Sequence, residues 1–305
     1  MKKIHIIALL ILTLAGCASR AAEPENTAVE EPQAISVLAP TGAPALSLIR
    51  YIDKYGDATV TISNGADALQ AALLNEEMEY DAVIAPVNLG VNLILNKGSK
   101  YKLAGVVSWG NLYLVENDDL SDSDLPAAFF GESAVPGKVV AALDLNIKQE
   151  IQWYAAVSDV SAALLSGQAS CGILAEPLLS ATLAKASQEG VRLSVVSDLQ
   201  ELFSMKYGTD GYPQAALFIS ESAWDKKRAD VEDLILCISD LRSEDVEKIE
   251  GHEEFYGVLS VSIVAKAFEG MNVHYVAADT CKKELAAFLD LFHISDFDSV
   301  IIADE

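Results

Sequence analysis

The chain has 305 residues, of which 51% are hydrophobic, and its formal net charge is −24. This length exceeds one compact core of typical size and is natural for two lobes, and the hydrophobic share excludes a disordered chain. The acidity excludes a basic surface for nucleic acid or anionic headgroups, because like charges repel. A cleft in such a protein favours neutral or cationic solutes.

Residues 1–16 have the anatomy of a secretory signal. Lys2 and Lys3 precede an apolar run at 6–14, which is far shorter than the ~20 residues of a membrane-spanning helix. The following Leu14-Ala15-Gly16-Cys17 resembles the lipobox of bacterial lipoproteins. The resemblance implies lipidation of Cys17 and an extracytoplasmic protein anchored to the cell membrane through lipid. The alternative is an ordinary signal with an incidental cysteine.

Strands and helices alternate at short intervals after a polar segment. Residues 17–33 contain prolines and glutamates without apolar periodicity, which predicts a flexible linker that follows the lipid. Apolar runs then predict strands at 35–39, 58–62, 81–85 and 103–107. Helical patterns separate these runs, and one of them begins at Pro44. The alternation indicates an α/β unit with a mostly parallel sheet.

A second unit of the same kind follows an acidic loop at 117–124. Strands are predicted at 127–130, 151–155, 171–175 and 192–196, with a return strand at 215–219. Helices are predicted at 138–143 and 158–165, after Pro177 to residue 187, and at 225–242, 262–269 and 284–292. The last of these helices is expected to cover the first lobe.

Three segments resemble the type II periplasmic binding proteins, the solute receptors of ABC importers: 81–88, 130–132 with 136–137, and 172–177. Within that class the chain is most similar to the nitrate, sulfonate, taurine and thiamine-pyrimidine branch. The resemblance implies two lobes, each a mostly parallel sheet flanked by helices, with a cleft between them. Lobe 1 is then 34–118 and 218–305, and lobe 2 is 119–217. It also implies an ABC permease and ATPase as partners, no cofactor, no enzymatic activity and a monomer.

Candidate ligand residues lie in the loops at the carboxyl ends of the strands, where α/β sheets bind their ligands. Flat aromatic rings beside amides suit a planar heterocycle, because rings stack and amides bind its edge. The alternatives are aromatic residues in the core, asparagines that stabilise turns, and carboxylates that cap helices or face solvent. The candidates are Thr41, Gly42, Asn64, Asn88, Trp109, Asn111, Tyr113, Glu132, Ser133, Tyr154, Asp159, Glu176 and Tyr212.

Arginine is missing from the predicted cleft loops, although bidentate arginines commonly bind carboxylates, phosphates and sulfonates. This favours a heteroaromatic solute such as a thiamine-pyrimidine precursor over nitrate or sulfonate. The histidines show no pair at metal-ligand spacing, so no metal site is expected. Cys171, Cys237 and Cys281 leave open whether one disulfide forms.

Three other functions remain possible for such a chain. One is a receptor for sulfonate- or nitrate-type anions, and another is a sensory lipoprotein that reports a solute to a membrane kinase. The third is an enzyme of the same fold that resembles chorismate dehydratase. For the enzyme, no histidine, cysteine or metal constellation converges on the predicted loops.

Overall fold

The computed structural model of the chain describes residues 31–258 and 260–303. The signal sequence, Cys17 and residues 18–30 of the predicted linker lie outside these ranges. Pro32 and Gln33, which the sequence assigns to that linker, are attached to the folded part. The hydroxyl of Tyr55 donates to the Pro32 carbonyl oxygen at 3.1 Å, and the Gln33 N–H donates to the Asp230 carboxylate at 2.7 Å.

Strands and helices alternate along the described ranges. The strands are β1 (Val37–Pro40), β2 (Val60–Ser63), β3 (Ala82–Pro86), β4 (Tyr101–Trp109), β5 (Leu112–Asn117), β6 (Ala127–Phe130), β7 (Ile151–Tyr154), β8 (Cys171–Ala175), β9 (Leu193–Asp198), β10 (Pro213–Ser220) and β11 (Val273–Ala277). The α-helices are α1 (Ala43–Leu46), α2 (Ile49–Tyr55), α3 (Ala66–Leu74), α4 (Val87–Lys97), α5 (Val135–Leu143), α6 (Val157–Leu165), α7 (Leu178–Glu189), α8 (Leu199–Tyr207), α9 (Glu221–Lys226), α10 (Arg228–Ser239), α11 (Glu253–Tyr256), α12 (Val261–Ala267) and α13 (Lys282–Asp290). Short 3₁₀ turns occupy Asp57–Thr59, Ser243–Ile249 and Asp298–Val300.

The strands form two sheets. The first has six strands in the order β11-β4-β10-β3-β1-β2, and the second has five in the order β7-β6-β8-β5-β9. The chain passes from the first sheet to the second between β4 and β5 and returns at β10. The sheets therefore change at residues 110–111 and near 212, a few residues before the predicted boundaries at 118 and 217.

Both sheets are mixed, which corrects the expectation of mostly parallel sheets. β1 is parallel to β2 and β3, whereas β10 is antiparallel to β3 and β4, and β11 is antiparallel to β4. In the second sheet β6 is parallel to β7 and β8, but β5 is antiparallel to β8 and β9. The connections explain this, because parallel neighbours need a crossover within one sheet. β5 and β10 each enter from the other sheet and run opposite to their neighbours.

The sequence did not predict β5 and β11, and it placed one long helix where α9 and α10 stand. In β5 the apolar residues end at Glu116 and Asn117, so the segment resembled the start of an acidic loop. In β11, His274 and Tyr275 interrupt a short apolar run. Both strands are specified by pairing with distant partners, which local periodicity does not show.

Buried apolar side chains connect the two sheets where the chain passes between them. We call the passage at 110–111 the first crossover and the passage near 212 the second crossover, and the two together the crossover. One continuous cluster contains Val106 of the first sheet, Trp109 and Leu112 at the crossover, and Phe129 of the second sheet. The crossover is therefore packed, and its geometry is held by core contacts. Within the described ranges, no helix is both long and apolar enough to cross a membrane.

Candidate functional site

A cavity of about 380 Å³ lies between the loops of the two sheets. This size falls within the range of small-molecule sites. The first-sheet side is formed by residues 41–44, Gln214, Gly257, Val258 and Ile263. The second-sheet side is formed by Val157, residues 175–178 and Ala181, and Asn111 of the crossover completes the lining.

The wall on the first-sheet side depends on two glycines with positive φ. Gly42, which follows β1, has φ of 87°, and its N–H donates to the carbonyl oxygen of Tyr256 at 3.1 Å. Gly257 has φ of 68°, and a Cβ at that position would lie 2.8 Å from the Cβ of Thr41. A side chain at residue 257 would therefore be strained and would displace Thr41. The Thr41 hydroxyl donates to Asn64 at 3.3 Å.

Glu176 is the one residue of the described lining that has an ionisable side chain. It follows β8 at the point where the second sheet meets the crossover. Its N–H donates to the carbonyl oxygen of Asn111 at 3.1 Å, and the Asn111 side-chain amide donates to the Glu176 carbonyl oxygen at 3.0 Å. These reciprocal bonds fix the backbone of Glu176 relative to the crossover.

The Glu176 carboxylate is buried, with 9% of the residue exposed. It accepts hydrogen bonds from the Ser180 N–H at 3.0 Å and from the Ser180 hydroxyl at 2.8 Å. Burial raises the pKa of Glu176 above its ordinary value, and the bonds from Ser180 offset part of that rise. The described lining contains no lysine, arginine or histidine.

Two residues of the lining carry buried side-chain amide oxygens. The Oδ1 atom of Asn111 and the Oε1 atom of Gln214 are buried and have no hydrogen-bond partner within the described ranges. The orientation of the Asn111 amide follows from its chemistry, because its NH₂ group faces the Glu176 carbonyl oxygen. Buried acceptors without a partner are costly, so a bound molecule that donates to them gains affinity.

The structure brings some of the sequence-predicted residues to this cavity and places others elsewhere. Thr41, Gly42, Asn111 and Glu176 line the cavity. The remaining candidates lie outside the described lining: Asn64, Asn88, Trp109, Tyr113, Glu132, Ser133, Tyr154, Asp159 and Tyr212.

Trp109 and Tyr212 belong to the core of the crossover. Trp109 is 3% exposed, and its ring stacks on that of His274 with centroids 5.5 Å apart and planes 6° apart. Tyr212 is fully buried, and its ring stacks on Phe288 at 5.9 Å. The structure therefore places both rings in packing roles, which was the alternative interpretation of the sequence.

Tyr113 links the two sides of the cleft. Its hydroxyl donates to the carbonyl oxygen of Gly270 at 2.9 Å, and Gly270 belongs to the turn between α12 and β11. A Cβ on Gly270 would lie 2.9 Å from the Tyr113 hydroxyl and 3.4 Å from the Cγ of Glu176. Glycine at 270 therefore lets the first-sheet side approach both side chains of the second sheet.

The other candidates occupy positions that turns and caps explain. The carboxylate of Asp159 accepts from the Ala156 N–H at 3.2 Å in the first turn of α6. Glu132 and Ser133 are exposed, and Tyr154 is half-buried and packs beside the core of the second sheet. Asn88 lies in the first turn of α4.

Several lining residues escaped the sequence analysis because they are small or aliphatic. Val157, Ala181, Gly257, Val258 and Ile263 have no chemistry that distinguishes them from core residues. Gln214 could have been found, because it is a polar residue immediately before the predicted return strand. The described residues hold no group of three metal ligands, and Cys171, Cys237 and Cys281 are free thiols.

No protein-family model and no curated protein matches the sequence. Among solved structures, the chain is similar to an ABC transporter from Parabacteroides distasonis, with 23% identity, a TM-score of 0.66 and coverage of 86% of this chain and 92% of that chain. It is also similar to the ligand-binding component of an ABC-type import system from Staphylococcus aureus, solved with zinc bound, with 11% identity, a TM-score of 0.60 and coverage of 88% and 96%. The periplasmic aliphatic sulphonate-binding protein of Escherichia coli gives 14% identity, a TM-score of 0.59 and coverage of 86% and 87%.

At these identities the similarity is one of fold. The expected two-lobed α/β fold of periplasmic binding proteins is confirmed, with one sheet in each lobe and a cavity between them. We call the first sheet with its helices lobe 1 and the second sheet with its helices lobe 2.

Proposed function

We propose that this protein is the solute-binding component of an ABC importer, which holds a small molecule between its lobes and delivers it to a permease and ATPase. The observation that carries the proposal is the cavity of about 380 Å³, because loops of both lobes form its walls. A molecule in that position contacts both lobes at once. The fold shared with binding components of import systems supports the same conclusion.

Binding is coupled to closure in this proposal. A solute that enters the open form stabilises the closed form through contacts that exist only when both walls are in place. The bond from Tyr113 to Gly270 and the packing of Glu176 against Gly270 are contacts of this kind, since each joins lobe 2 to lobe 1. The closed form is the one expected to dock on the permease.

The proposed location is the outer face of the cell membrane, with anchoring through lipid on Cys17. The support is the Leu14-Ala15-Gly16-Cys17 sequence. Mass spectrometry of the N-terminal peptide is expected to show a diacylglyceryl group on Cys17. In Cys17→Ser, the protein is expected to leave the membrane fraction. Retention of this variant in the membrane would contradict lipid anchoring through Cys17.

As the specific ligand we propose a planar heteroaromatic solute, such as a thiamine-pyrimidine precursor. Its apolar faces would contact aliphatic residues such as Val157, Leu178 and Ile263, because the described lining holds no aromatic ring. Its edge donors would bind Glu176 and Asn111. The absence of lysine, arginine and histidine from that lining disfavours sulfonate and nitrate.

Native mass spectrometry of the freshly purified full chain, extracted in detergent, tests the proposal. We expect one co-purified small molecule that is released unchanged on unfolding and is taken up by proteoliposomes containing the cognate importer. Ala181→Leu fills part of the cavity and should abolish retention. Ala141→Leu, on the exposed side of α5, should not. Turnover of the bound molecule would establish an enzyme instead, and loss of retention in neither variant would remove this cavity from the site.

A further inference from the structure

The structure contains two well-buried carboxylates that differ in their counter-charges. Asp245 is 3% exposed and forms ion pairs with Arg50 at 3.2 Å and Lys248 at 3.1 Å. Burial raises the pKa of Asp245, but hydrogen bonds from Lys248, the Arg242 N–H and Arg50 hold it below its ordinary value. The protein thus supplies two positive charges to an acid that it buries away from the cleft.

Glu176 receives no such cation within the described ranges. Its hydrogen-bond donors are the N–H and hydroxyl of Ser180 in the first turn of α7, so the carboxylate caps this helix and receives only the partial positive charge of a helix N-terminus. A carboxylate out of water normally needs an ion-pair partner, and neutral donors replace only part of its lost hydration. The missing charge lies at the wall of the cavity, where a bound molecule can provide it.

The other polar groups at this wall favour the same kind of molecule. The unpartnered oxygens of Asn111 and Gln214 can only accept hydrogen bonds. Together with Glu176 they place three acceptors at this wall, beside the NH₂ group of Gln214, which is a donor. The net charge of −24 adds a long-range field that attracts cations and repels anions.

We infer that the solute carries a positively charged nitrogen group, an ammonium or amidinium, which pairs with the Glu176 carboxylate and donates to the amide oxygens of Asn111 and Gln214. This inference rests on the proposed function and narrows its solute class. The charged group lies against lobe 2 and the crossover, and the apolar remainder of the solute lies along Val258 and Ile263 of lobe 1. Closure removes the ion pair from water, which strengthens it.

Matched probes on one ring test the charge. Binding of benzylammonium, benzamidinium, benzyl alcohol and benzenesulfonate to the full-length protein in detergent, depleted of co-purified solute, is measured by calorimetry at pH 7. We expect the two cations to bind at least about tenfold more tightly than the alcohol, because a hydrogen bond to a charged group is stronger than a neutral one. Benzenesulfonate should bind most weakly.

Two variants test whether Glu176 causes the preference for cations. Glu176→Gln keeps the shape and is expected to abolish the cation preference, while Glu150→Gln removes an exposed carboxylate of lobe 2 and should preserve it. Circular dichroism and unfolding curves establish that both variants fold. If Glu176→Gln does not fold, the charge of the co-purified solute decides, and an anionic solute overturns the inference.

The outcomes separate this inference from the proposed function. Binding of the sulfonate as tight as that of the cations, no saturable binding of either cation, or a preference retained in Glu176→Gln overturns the inference. Each of these results leaves a solute-binding protein intact if the co-purified molecule is released unchanged. Turnover of a cationic probe would overturn the proposed function while leaving the charge assignment in place.

Discussion

The crossover between the lobes and the cavity beside it are built from different side chains. The crossover packs large rings, with Trp109 on His274 and Tyr212 on Phe288. The described cavity lining is mostly small and aliphatic, with Glu176 as its ionisable residue. Aromatic residues at strand ends therefore stabilise the geometry of this protein. Its chemistry toward a solute depends on a few polar groups that the crossover holds in place.

The largest expected effect is the loss of a ring from the crossover. Trp109→Ala should lower the free energy of unfolding by about 3–5 kcal/mol, as large-to-small core substitutions of this kind do. Trp224→Ala is the matched control, because Trp224 is half-buried on lobe 1, and its substitution should cost clearly less. Urea unfolding measures both values. Equal losses in the two variants would contradict the structural role assigned to Trp109.

A glycine of the second crossover is expected to matter next. Gly211 has φ of 92°, and a Cβ there would overlap the side-chain amide of Gln200, which accepts a hydrogen bond from the Tyr212 N–H at 3.1 Å. Gly211→Ala should therefore lower stability by about 2–4 kcal/mol, through backbone strain and overpacking together.

Two further variants separate these causes. Gly190→Ala also has positive φ, at 75°, but has open space around the added Cβ. It should lose only about 1 kcal/mol from backbone strain. Adding Gln200→Ala to Gly211→Ala should restore part of the stability by relieving the overlap. Failure of the double variant to recover would show that the overlap contributes nothing.

The sequence predicted most of the fold because its signals are local. Short apolar runs separated by helical patterns placed nine of the strands near their observed positions, and the pattern of two α/β units agrees with the two sheets. The missed strands β5 and β11 have apolar runs that polar or aromatic residues end or interrupt, so periodicity did not report them. The direction of β10 was missed because it depends on pairing with β3 and β4, which lie far away in the chain.

The site was harder to predict because loops at strand ends serve both the crossover and the cavity. Trp109 and Asn111 are two residues apart, yet the ring of Trp109 is enclosed by the core and Asn111 lines the cavity. Glu176 and Asn111 were found because they are polar residues in loops at the ends of predicted strands, where α/β sheets bind their ligands. Aliphatic lining residues such as Val258 carry no comparable signal, since a cavity wall and a core have the same composition.

The buried carboxylate of Glu176, beside the cavity, should make the stability of the protein depend on pH. Because the pKa of Glu176 is raised in the folded state, folding favours its protonated form, and its contribution to stability is lost as pH rises from the ordinary value of 4.5 through the folded pKa. Glu176→Gln should remove this component, so that the solute-free variant is more stable than the wild type at neutral pH and no more stable at pH 4. Melting temperatures across pH 4–8 measure the difference. A variant that is less stable than the solute-free wild type at neutral pH would contradict it.

The smallest expected effect concerns the contact that joins the lobes beside the cavity. Tyr113→Phe removes the hydrogen bond to the Gly270 carbonyl oxygen and leaves the ring in place. The loss of one such bond is worth about 0.5–1.5 kcal/mol, which shifts the ratio of open to closed forms by roughly two- to tenfold toward open.

Spin labels on the exposed residues 67 of lobe 1 and 189 of lobe 2 report this ratio as a distance distribution, with Cys237→Ser introduced to avoid a third label. Tyr207→Phe makes the same chemical change on α8, away from the described cavity lining, and should leave the distribution unchanged. If Tyr113→Phe shifts the distribution while unfolding stability changes little, the bond acts on closure, and the lobes move about a packed crossover. If the distribution is unchanged, the contact between Tyr113 and Gly270 does not control the closing of the cavity.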